Sequence, residues 1–175
     1  MAMGQGQIWV MNIKDLFRSS RDETAMVKLV VKTDPDAWHG TTAERMWATP
    51  IGSSSYVLEN SPFHAYGLSY KDVVTAQTMD DGQLHFVAVS ERGGHSTYRI
   101  LLKPGASRED FDRLWKPLEA MGCTYESSKN PETNFAIDVP PSTDVYDAYK
   151  HFEAGLKEGV WDFEEGHCGH PLKES

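Results

Sequence analysis

Two stretches with a helical repeat, each set between stretches that alternate, dominate the second half of this chain. They restrict its fold more than any other feature. Phe111, Leu114, Trp115, Leu118 and Met121 recur at the spacing of one helix face. Ser107 stands where an N-cap belongs, and Glu109 and Asp110 fall in the first turn, where the helix dipole favours acids. Gly122 stops this helix. In the second stretch Val145, Tyr149, Phe152 and Leu156 form the stripe expected to be buried, with Ser142 or Thr143 as cap and Gly159 as stop. Residues 98–103, 123–128, 135–139 and 160–165 read as strands around these helices. The order is β-α-β-β-α-β, that of a ferredoxin-like unit. Right-handed crossovers then put both helices on one face of a four-stranded antiparallel sheet, with the last strand at an edge.

The first half has a different rhythm. Residues 25–32 are rich in β-branched side chains. Residues 45–49 and 54–59 predict a hairpin, and 72–77 and 84–90 flank the turn Asp80-Asp81-Gly82. No helix is expected before residue 105. The sequence therefore predicts an α+β chain: a leader or extension at 1–24, a small antiparallel β lobe at 25–97, a ferredoxin-like lobe at 98–166 and a tail at 167–175. Phe63 is expected to anchor the loop around Asn60 in the core, with Asn60 in an unusual backbone geometry. The five tryptophans are expected in the core.

Charge separates the halves again. The net formal charge is -9, of which -8 lies in residues 106–175. That sign argues against nucleic acid as a partner. The apolar runs are too short to span a membrane. Two cysteines, Cys123 and Cys168, give no disulfide framework and fit a cytoplasmic setting. On the second helix Asp144, Asp147, His151 and Glu158 fall on one face, and the last strand adds Asp162 and Glu164. The bland account is a solvated face that keeps the chain soluble. The sharper one is a surface that steers in a cationic protein.

Other clusters carry less chemistry. His167, Cys168 and His170 are zinc-ligand types, but a structural site needs four ligands, and no metal or cofactor is expected. A nucleophilic pair in the same tail would need an orienting group and an oxyanion hole. Gly93-Gly94 followed by His95, Ser96 and Thr97 could offer backbone N–H groups to an anion, or simply link the lobes.

Several segments, taken together, carry a family resemblance: 46–48 (MWA), 56–63 (YVLENSPF), 67–74 (GLSYKDVV), 94–99 (GHSTYR), 122–126 (GCTYE) and 136–140 (AIDVP). The chain resembles the bacterial domain-of-unknown-function family four-two-six-five over residues 25 to 166. The resemblance implies a small cytoplasmic bacterial protein and supplies no catalytic residues. By analogy with small acidic proteins of that kind, the leading expectation is a non-enzymatic immunity-type protein. It would bind a cationic toxin domain through Asp144, Asp147, His151, Glu158, Asp162 and Glu164. The rival is a small enzyme or ligand-binding protein with Asn60, His85, His95, Ser96 and Thr97 lining a cleft between the lobes.

Overall fold

The computed structural model describes residues 25–128 and 132–172. The expected leader at 1–24, with Trp9, lies outside the described residues. The chain is mixed α/β, with two sheets and, among the described residues, two helices.

Five strands form the first lobe: β1 (Val27–Lys32), β2 (Ala43–Pro50), β3 (Ser55–Leu58), β4 (Val73–Thr78) and β5 (Leu84–Glu91). Successive strands pair antiparallel, and β5 returns beside β1 to close a barrel. That closing seam is parallel and short, with only Leu29↔Leu84 and Val30↔His85 in register. Alternation along β1 and β2 sends Leu29, Val31, Met46 and Ala48 inward, where Leu58, Leu68 and Val74 meet them. Gly82 takes φ 74 in the β4–β5 turn, a backbone a side chain would resist.

The second lobe runs β6 (Ser96–Leu102), α1 (Arg108–Ala120), β7 (Thr124–Ser127), β8 (Asn134–Val139), α2 (Val145–Lys157) and β9 (Trp161–His167). Its antiparallel strands lie in the order β7-β8-β6-β9, so β9 is an edge. Tyr98, Ile100, Phe135, Ile137 and Trp161 project from one face onto Phe111, Leu118 and Phe152 of the helices. The α1 start follows the sequence closely. Ser107 is the N-cap, and its hydroxyl and the Asp110 carboxylate form a reciprocal capping box.

The start of α2 differs from expectation. Asp144 is the cap, accepting from the backbone N–H groups of Tyr146 and Asp147. Thr143 instead donates its hydroxyl to the Met121 carbonyl at 2.6 Å, tying α2 to the end of α1. The buried stripe also differs: Val145, Ala148, Phe152 and Gly155 face the core, while Tyr149 and Leu156 are exposed. Trp161 sets this rotation. It lies so close over Gly155 that a Cβ there would overlap the indole, whose Nε1 donates to the Phe152 carbonyl at 2.9 Å. Of the four described tryptophans, Trp115 and Trp161 are buried and Trp38 and Trp47 are exposed, which corrects the core expectation for the last two.

Candidate functional site

β6 is buried on both faces, which an edge-to-helix sheet alone would not produce. One face meets the helices. The other, carrying Thr97 and Arg99, is covered by the 59–72 loop of the barrel lobe. This loop holds parts of two of the segments that carry the family resemblance, 56–63 and 67–74, and polar groups fasten it.

Glu44 on β2 accepts from the backbone N–H groups of Phe63, His64 and Ala65 at 2.7, 2.9 and 2.9 Å. Asn60 is buried, and its Oδ1 accepts from the Trp47 N–H at 2.7 Å. Phe63 is only half-buried and outside the core, whereas its neighbours Ser61, Pro62 and Ala65 are buried. Among the described residues the left-handed non-glycine residue is Lys71, with φ 64, not Asn60. The Lys71 ammonium ion-pairs with Glu59. Asp72 is buried and accepts from Ser69 N–H, Gly93 N–H and the Arg92 guanidinium. Gly93 is the residue that fits there, because a Cβ would stand 2.6 Å from the Lys71 carbonyl.

Arg99 is the centre of the junction. It is 2% exposed. Its Nε donates to the Pro62 carbonyl at 3.3 Å, its Nη2 to the Ala65 carbonyl, and its Nη1 to Glu164 Oε1 at 2.6 Å. The guanidinium lies 4.5 Å from the Tyr66 ring centroid. Glu164 also accepts from the Tyr66 hydroxyl at 2.8 Å and the Trp38 indole N–H at 3.2 Å. Burial opposes its charge, but Arg99 and Tyr66 outweigh that and hold the carboxyl below its usual range.

The six acidic-surface residues are not brought together. By strand alternation Asp162 and Glu164 project from the barrel side of the sheet, whereas α2 lies on the opposite side with Asp144, Asp147, His151 and Glu158. Nor is the helix face bare charge. Asp144 caps the helix, Asp147 pairs with Lys150 at 2.5 Å, and Glu158 pairs with Arg113 at 2.8 Å. Asp162 pairs with Lys103 at 3.1 Å. Exposed pairs like these stabilise little, but they damp the field a partner would feel.

The five cleft residues are also separated. His85 sits on β5 against Asp81. Ser96 and Thr97 are fully buried, and Thr97 donates to the Ser69 hydroxyl at 2.9 Å. His95 Nδ1 is 2.8 Å from Asp138. Ser96 Oγ is 2.6 Å from His170 Nδ1, and His170 Nε2 is 3.0 Å from the Pro140 carbonyl. That second contact puts the ring proton on Nε2, so the serine hydroxyl donates to Nδ1. Gly169 N–H donates back to Ser96 Oγ at 2.9 Å. The chemistry resembles a nucleophile–base pair, but it is sealed from solvent and fastens the 168–170 segment to the sheet. Among the described residues no group of three or more His, Cys, Asp or Glu is placed to hold a metal ion.

Two cavities flank the junction. One, of about 280 Å³, lies on the barrel side of the sheet under Trp38, with Leu101, Asn134, Asp162 and Phe163 in its wall. The other, of about 340 Å³, is lined by Glu59, Ser61, Tyr70, Thr124, Tyr125, Glu126, Ala136 and Asp138. Burial pushes both Glu126 and Asp138 above the usual carboxylate range, in Asp138 despite its bond to His95. Neither cavity was visible in sequence. The available signal was the run at 59–72, polar at its ends but carrying Pro62, Phe63, Ala65, Tyr66 and Leu68 in its middle, too apolar there for a free loop.

No helix among the described residues is long and apolar enough to cross a membrane. No curated protein matches the chain. A solved structure described as a novel crystal structure of a hypothetical protein from Neisseria gonorrhoeae is similar, with a TM-score of 0.68 and 18% identity. The match covers 83% of this chain and 96% of that one. At that identity the likeness is one of fold. Residues 44–163, from β2 into β9, match a family described as a domain of unknown function, and the chain belongs to that family, DUF4265.

Proposed function

We propose that this is a non-enzymatic cytoplasmic binding protein whose partner is a basic protein. In its most concrete form it is an immunity-type protein that neutralises a toxin passed between competing bacteria. The observation that carries the binding reading is Trp38. It is 54% exposed, yet held in place through its indole N–H on Glu164 of the edge strand. An immobilised, exposed tryptophan beside acids at a sheet edge has the anatomy of an interface anchor. The net charge of -9 favours a cationic partner through long-range attraction. On this proposal the partner-facing acids are Asp162 and Glu164, while those of α2 act through the general field. The second lobe supports a ferredoxin-like description through its element order and its strand order β7-β8-β6-β9.

The test is association with the protein encoded beside this gene, measured by stopped flow across ionic strength. Trp38→Ala should raise the dissociation rate by about tenfold or more, the scale of an interface anchor. Asp162→Lys should slow association and flatten its salt dependence. Binding indifferent to both substitutions sinks this surface.

A second reading is favoured by the acidic cavity, whose lining residues all come from segments that carry the family resemblance. Its acceptor-rich wall suits a small organic cation. Calorimetric titration with a polyamine discriminates the two, because heat lost in Glu126→Gln and kept in Trp38→Ala selects the small-molecule reading.

A further inference from the structure

We propose that the cavity under Trp38 is the socket for one lysine or arginine side chain of the basic partner, an inference that rests on the partner reading above. At about 280 Å³ the cavity is at the lower limit of small-molecule sites and suits a single side chain. Trp38 and Leu101 make its wall chiefly apolar, and Phe163, whose ring turns to the helix side, borders it from β9. Of the donors there, the Arg99 guanidinium and the Trp38 indole N–H are already engaged with Glu164, and three acceptors face the space. Asn134 Oδ1 is buried with no hydrogen-bond partner, and Asp162 and Glu164 supply carboxylates.

Arg99 also lines the cavity, but its charge is already matched. Glu164 holds it at 2.6 Å, two loop carbonyls accept from Nε and Nη2, and Tyr66 covers its face. Asp162 differs: its cation, Lys103, is 3.1 Å away and 35% exposed. The site therefore calls for an apolar stem ending in a donor head. An anion would face acceptors. A purely apolar group would leave Asn134 Oδ1 unpaired, a loss comparable to a missing hydrogen bond. A lysine or arginine side chain satisfies both parts, laying methylenes on Leu101 and Trp38 and bringing its head to Asn134 and Asp162. The exposed indole of Trp38 adds a cation–π face.

The test uses the full chain labelled with nitrogen-15 and three probes: the N-acetyl methylamides of lysine, arginine and norleucine. Norleucine keeps the apolar stem and lacks the charge. The indole N–H signal of Trp38 is identified by its loss in Trp38→Phe. Lysine or arginine should move that signal with millimolar affinity, and norleucine should bind at least about fivefold more weakly. Asp162→Asn, an exposed change that leaves the fold intact, should weaken the cationic probes about two- to fivefold and leave norleucine unchanged. Asn134→Leu should weaken the cationic probes further. Equal binding of norleucine, or an unmoved Trp38 signal at about 100 mM probe, overturns the socket. If the probes fail while a basic protein still binds, the socket falls and the partner reading stands. If the probes bind and no basic protein does, the partner reading falls.

Discussion

Replacing Arg99 by methionine isolates the energetics of the lobe junction. Methionine preserves most of the apolar stem and removes every donor. Three acceptors then lose their partner: the Pro62 and Ala65 carbonyls and Glu164 Oε1. Each buried acceptor left unpaired costs about 1–3 kcal/mol, and losses within one network do not add fully. Glu164 keeps Tyr66 and Trp38 as donors, which lightens its share. Removing one member of a buried pair costs about 3–5 kcal/mol, and that range is expected here. At about 2–4 °C per kcal/mol for a chain of this size, calorimetry should record a Tm lower by about 6–20 °C. Arg108→Met is the matched control. Arg108 makes contacts just as short, 2.8 Å to Asp112 and 2.7 Å to Glu132, but it is 47% exposed. Its loss should cost under about 1 kcal/mol. If Arg99→Met costs no more than Arg108→Met, the buried network does not join the lobes and the account of the junction is wrong.

Four further outcomes follow from the same geometry. Gly155→Ala gains about 1 kcal/mol of helix propensity but drives a methyl into the Trp161 indole; overpacking of about 1–3 kcal/mol should win, and urea unfolding should show net destabilisation. Ser96→Ala frees both His170 and the Gly169 N–H, so hydrogen exchange at Gly169 should rise about tenfold or more, with about 1–3 kcal/mol lost overall. The Glu164 carboxyl lies below its usual value in the folded chain, so its stabilisation is complete above the unfolded value of about 4.3 and is lost as pH falls through the folded one; urea midpoints of wild type and Glu164→Gln should therefore converge toward pH 3. Burial pushes the Cys123 thiol up to about 12, so at pH 8 a thiol reagent should label it only after denaturant is added.

The second lobe was largely legible because its signals are local. The Ser107 capping box spans four residues, and the alternation of Phe135, Ile137 and Val139 shows itself within one strand. The α2 face was misjudged because its rotation depends on Trp161 meeting Gly155, a contact that helical periodicity cannot register. Thr143 looked like a cap by type, but its hydroxyl had a partner at Met121. The junction was illegible for a related reason. Glu44 bonds backbone 19–21 residues away, and Arg99 bonds carbonyls 34 and 37 residues before it. In sequence Glu44 is one acid among several, and Arg99 looks like an exposed strand residue. Asp162 and Glu164 were correctly placed on the edge strand. Their separation from α2 follows from strand parity, which the sequence offered and which was outweighed by a count of charges.

Among the described residues the chain passes from barrel to sheet once, through the short segment between Glu91 and Ser96. Everything else that joins the lobes is a pairing of side chains or loop backbone across that divide: Arg99 with the 62–66 loop, Glu126 with Ser61, Gly166 with Gly67. Such an arrangement couples the inheritance of the two halves. Recombination at the linker cuts one covalent connection but mismatches every pairing at once. Chimeras between diverged relatives should therefore fail unless residues 59–72 travel with the sheet that they cover.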